Sequence, residues 1–119
     1  MNIPPLQFSE RATAAVTVFA AFTVAQQGIQ ILHYSTLAIK GQLYGVHGQL
    51  IVIYDQMLRT DEVNVDVQLA ALVASAIPLV SQLVTLTAQL PTTNNNATRV
   101  ARMRIVANNA LTTLESINP

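Results

Sequence analysis

From Ser9 to Arg59 the apolar positions fall on one helical stripe: Ala15, Val18, Phe22, Ala25, Ile29, Leu32, Thr36, Ile39, Leu43, Val46, Leu50, Ile53 and Met57. The steps alternate three and four, with Thr36 the single polar member, which is a heptad seam held for about six repeats. Gln26, Gln30, His33, Lys40, His47, Gln49 and Gln56 fall off the stripe. A seam of this kind needs a partner helix, and its unbroken phase predicts one helix over residues 9–59, about 75 Å long. The alternative is a break near 33–41, where His33-Tyr34-Ser35-Thr36 and Lys40-Gly41 are the weak points.

Pro4 and Pro5 make residues 1–8 an extended lead, and Ser9 with Glu10 supplies a helix start. Residues 60–66 read Thr-Asp-Glu-Val-Asn-Val-Asp, a turn-forming connection whose last residue, Asp66, is placed to cap the next helix. That helix covers residues 67–90 through Leu69, Val73, Ala76, Val80, Leu83, Thr87 and Leu90; the added row Leu72, Leu79 and Leu86 predicts contact with more than one neighbour. Pro78 lies in its interior and predicts a kink or break. A polar turn at 91–96 leads to a last helix at 97–117, patterned by Val100, Met103, Ala107, Ala110, Leu114 and Ile117. The expected class is all-α: a long N-terminal helix with a C-terminal helical hairpin, or alternatively a four-helix bundle.

The preferred arrangement leaves half of the long seam without cover from its own chain. Val18, Phe22, Ile29, Leu32, Ile39, Leu43, Val46, Leu50 and Ile53 are therefore the expected self-association seam. Gly41, Gly45 and Gly48, spaced four and three apart, form a smooth strip suited to close packing of another helix. Composition points the same way: 51% of the 119 residues are hydrophobic and 10% charged, against roughly 25% charged in ordinary soluble domains. Such a chain is expected to hide surface in an assembly of its own copies, with other structural proteins, or in a bilayer.

Six basic residues balance six acidic ones, so no global field draws the chain to nucleic acid. Without cysteine there is no disulfide, thiolate nucleophile or Cys-ligated metal. The charge-free intervals between Arg11 and Lys40 and between Asp66 and Arg99 are long enough for membrane spans, although glutamines and hydroxyl residues interrupt them. Arg11 followed by the apolar run 12–25 imitates a secretory signal, but the heptad phase continues through the supposed cleavage point.

Candidate chemistry is sparse. His33 and His47 lie about 21 Å apart on one helix and cannot share an ion there. Asp55, Asp61, Glu62 and Asp66 read as solvated acids, and no nucleophile elbow, phosphate loop or zinc-helix motif accompanies them. The tyrosines Tyr34, Tyr44 and Tyr54 and the pair Phe19 and Phe22 read as packing rather than a cofactor cleft. Neither metal nor cofactor is expected. Arg99, Arg102 and Arg104 crowd the start of the last helix, where the dipole favours anions. Because the acidic connection lies at the other end of the preceding helix, their expected partner is an anion or another subunit. The sequence thus supports a non-enzymatic structural subunit that self-assembles as a ring, tube, filament or virion component. A membrane-embedded helical protein and an adaptor or ligand-binding bundle are the alternatives.

Overall fold

The computed structural model describes residues 3–61 and 63–118. They form four helices: α1 (Glu10–Ile31), α2 (Ala38–Leu58), α3 (Val65–Ala88) and α4 (Ala97–Ile117). The all-α expectation holds, and its four-helix alternative is the form adopted. The single helix over 9–59 is not formed.

The break occupies residues 32–37, overlapping the weak point at His33 to Thr36. Leu32 ends α1 and is itself 1% exposed, with its N–H donating to the Gly28 carbonyl at 3.1 Å. Ser35 then donates its N–H to the Leu32 carbonyl, and its hydroxyl accepts from Leu37 N–H at 3.1 Å. Lys40 Nζ donates to the His33 carbonyl at 2.8 Å, supplying a cation where α1 exposes its last acceptors. Folding back encloses Val18, Leu32, Leu43, Val46 and Leu50, none more than 1% exposed. Burial of these five contributes on the order of 10 kcal/mol. The helical bonds given up in a short turn are worth a few kcal/mol net, so the hairpin wins.

On α1 the core stripe is shifted from the one expected. Ala14, Val18, Ala21 and Ala25 are fully buried and Gly28 is buried too, whereas Phe22 and Ile29 are half-buried on the flank. Of these residues, Gly28 lies against Leu43 of α2. A Cβ added at Gly28 would stand 3.0 Å from Leu43 Cδ1. Close packing therefore uses Gly28. Gly41, Gly45 and Gly48 instead face open space, with nothing within 4 Å of an added Cβ.

The helices run alternately up and down, each against its chain neighbours, with α4 closing back onto α1. Of the two diagonals, α1 and α3 touch while α2 and α4 do not among the described residues. That asymmetry accounts for the composition of α3. It meets three helices, and Leu69, Ala70, Val73, Ala76, Val80, Leu83, Leu86 and Thr87 are all buried. Pro78 does not break it, since α3 runs unbroken from Val65 to Ala88 with Pro78 on its exposed side.

Local end chemistry differs from the expected caps. Ser9 makes no side-chain cap bond; Glu10 Oε1 accepts from Gln7 N–H at 2.8 Å. Asp66 lies inside the first turn of α3, and its carboxylate is gripped at both oxygens by Arg11, at 2.7 and 2.8 Å. The extended lead docks beside it through Leu6, which is buried and donates its N–H to the Asp66 carbonyl.

Candidate functional site

The residues expected to form an external seam are inside the chain. Val18, Leu32, Leu43, Val46, Leu50 and Ile53 are core, and Phe22, Ile29 and Ile39 are half-buried and packed against it. They belong to one core shared by all four helices, to which the fold-back of α2 on α1 contributes.

The surface left exposed is of another kind. On the outer side of α2, Gly41, Tyr44, Gly45, Gly48 and Val52 face solvent. A shallow apolar groove continues from Gly48 and Val52 across to Ser75, Pro78 and Leu79 of α3. No charged residue occurs between Lys40 and Asp55, nor between Asp66 and Arg99. The α2–α3 flank is therefore uncharged over most of its length.

The three arginines of α4 are separated by the fold. Arg104 reaches the end of α3, donating from Nε to the Thr87 carbonyl at 2.9 Å and from an Nη to those of Ala88 and Leu90 at 3.3 and 3.2 Å. It satisfies acceptors left by the last turn of α3 and adds positive charge at that helix's negative end. The signal for this role was the α3–α4 turn itself, which brings the two helix ends together. Arg99 and Arg102 have no ion pair among the described residues and line a cleft with Thr23 and Gln27 of α1.

The remaining polar groups are dispersed. His33 is exposed and edge-on to Tyr34, while His47 stacks on Phe22 at 4.4 Å. Among the described residues no group of three or more His, Asp or Glu comes together to hold a metal ion. Asp55 pairs with Arg59 at 3.1 Å, Asp61 accepts from Val63 N–H, and Glu62 lies outside the described residues. The Arg11 guanidinium, through its hydrogen bonds, holds the Asp66 carboxyl below its ordinary range, and Asp66 raises Arg11 in return. Phe19 packs on Phe22 and Tyr54 with ring centres 5.8 and 5.1 Å apart, joining α1 to α2 rather than lining a cavity. These contacts are those of a packed bundle surface.

Compared with known protein families, curated proteins and solved structures, the chain matches none.

Proposed function

We propose that the chain is a non-enzymatic structural subunit whose copies associate side by side through the uncharged α2–α3 flank, building a homo-oligomeric ring, tube, filament or virion component. The observation that carries this reading is the strip Gly41, Gly45 and Gly48. Each glycine costs a helix up to about 1 kcal/mol relative to alanine, and among the described residues nothing lies within 4 Å of the position a Cβ would take. The strip has a use if a neighbouring helix approaches it, with Tyr44 and Val52 as the exposed side chains beside it. The low charge of the flank supports the same reading, since desolvating it releases few ions or strong hydrogen-bonding groups.

The expected outcome is specific to the strip. Gly45→Arg should leave the helical circular dichroism intact and abolish lateral association in sedimentation velocity, because its side chain projects into open space on the monomer. The triple change of Gly41, Gly45 and Gly48 to alanine should raise monomer stability by up to about 1 kcal/mol per site. Native protein that stays monomeric at high concentration, or G45R protein that associates like the native, contradicts the reading.

Membrane insertion is the second reading, carried by α1 and α3, which are each long and apolar enough to cross a bilayer. In the bundle these two are the central diagonal pair, so their apolar faces already have a use. Retention in the membrane fraction after alkaline extraction would favour insertion over lateral assembly.

A further inference from the structure

The net charge is zero, yet the fold sorts the charges by end. The start of α1, the end of α2, the start of α3 and the end of α4 lie together, as fixed by the Arg11–Asp66 pair and by Asn118 Nδ2 donating to the Ala70 carbonyl. At this end stand all the described acidic residues, Glu10, Asp55, Asp61, Asp66 and Glu115. The only cations with them are Arg11 and Arg59, and each is paired to one of those acids. The opposite end holds Lys40, Arg99, Arg102 and Arg104 and no described acid. The described side chains thus give +4 at one end and, from five acids and two arginines, −3 at the other.

Helix dipoles and local pairing account for only part of this. Antiparallel helices bring two N-termini and two C-termini to each end, so their dipoles largely cancel there. Arg99 and Arg102 stand in the first two turns of α4, and Asp55 and Glu115 in the last turns of α2 and α4, all against the dipole preference, whereas Lys40 and Arg104 meet the carboxyl ends of α1 and α3. Lys40, Arg99 and Arg102 also have no ion pair among the described residues. The two ends cannot relieve each other within one molecule. Helices of this length hold them roughly 30 Å apart, several times the screening length of about 8 Å at physiological salt.

We infer that copies of the chain stack end on end, the basic end of one against the acidic end of the next. One contact then accounts for both gatherings of charge. An anionic surface would engage the basic end and leave the acidic gathering without a use. Each end also offers apolar side chains to the contact: Tyr34 and Leu37 are 95% and 51% exposed at the basic end, and Phe8, Leu58 and Val63 are 78%, 62% and 86% exposed at the acidic end. The contact is heterologous and along the long axis of the molecule, so repetition gives a polar filament rather than a closed dimer. An end of only 23 × 20 Å between Cα atoms is small beside the roughly 800 Å² per partner of a standard interface. The contact therefore depends on charge. This inference deepens the self-assembly reading by naming an axial contact, and it uses none of the α2–α3 flank.

Sedimentation velocity and small-angle scattering of the full chain test it. Elongated species should form in 20 mM salt (a condition chosen inside the weak-screening range) and weaken by about tenfold or more in 0.5 M salt. Arg99→Glu with Arg102→Glu takes the basic end from +4 to 0 and keeps the acidic end intact, and Asp61→Lys with Glu115→Lys takes the acidic end from −3 to +1 and keeps the basic end intact. Each double variant alone should lose elongated species, and an equimolar mixture should regain them. Salt-independent association, native-like stacking by either variant alone, or no association in the mixture overturns the inference. So does a native chain that stays unstacked at low salt yet binds phosphatidylserine vesicles, which would assign the basic end to a membrane. Failure of the flank reading is separable: G45R would then leave association unchanged while the salt and mixing results stand.

Discussion

Val46→Asp is expected to unfold the protein, not to disperse an assembly of folded subunits. Val46 is 1% exposed and sits between Leu43 and Leu50 on the core stripe of α2, both fully buried. A carboxyl placed there loses the valine's packing and finds no designed partner, at a combined cost on the order of 5 kcal/mol even when it is protonated. Native domains are stable by about 5–15 kcal/mol, so the change removes much or all of that margin. Far-UV circular dichroism and a thermal melt provide the check. A variant that keeps its melt and loses only large particles would place Val46 on an external seam, as the continuous-helix reading expects.

The second large effect has the opposite sign. Pro78→Ala is expected to stabilise the fold by up to about 3 kcal/mol, the helix-interior difference between the two residues. The helix already runs through this position and Pro78 faces outward, so alanine needs no rearrangement and restores an amide donor for the carbonyl of Ala74. The melt should rise by roughly 10 °C. An unchanged or lowered melting temperature would show that Pro78 is held in place by a contact within the bundle.

Helix boundaries were legible in the chain because their signals are local. Proline and asparagine punctuation placed the last helix at 97–117, where it is found, and the third within two residues of Val65–Ala88. The width of the α3 apolar face, read from Leu72, Leu79 and Leu86, correctly implied more than one neighbour. The turn at 32–37 was obscured by phase. Leu32, Thr36, Ile39 and Leu43 continue the heptad count across it, yet each helix of a hairpin carries its own core stripe, so matching phase does not require a continuous backbone. The local signs of the turn, Ser35 and Thr36 beside His33 and Tyr34, were weaker than the long-range pattern they interrupted.

The shift of the α1 stripe has a related cause. Large side chains such as Phe22 and Ile29 dominate a hydrophobic count, whereas close helix approach selects Ala14, Ala21, Ala25 and Gly28. Size mattered more than hydrophobicity at that contact. The surfaces were only partly readable for a comparable reason. The three arginines announced unmet charge, but the α3 end that accepts Arg104 and the sorting of acids from bases depend on the order in which helices pack.

The seam of the first fifty-odd residues is filled from within, and one distance tests this directly. Spin labels at Thr13 and Gln56, both exposed and both near the acidic end, can be measured by double electron–electron resonance in dilute protein. The hairpin predicts a short separation on the scale of the 23 Å width of the bundle, widened only by the label arms. A separation of roughly 65 Å, the rise of a continuous helix over that interval, would contradict it.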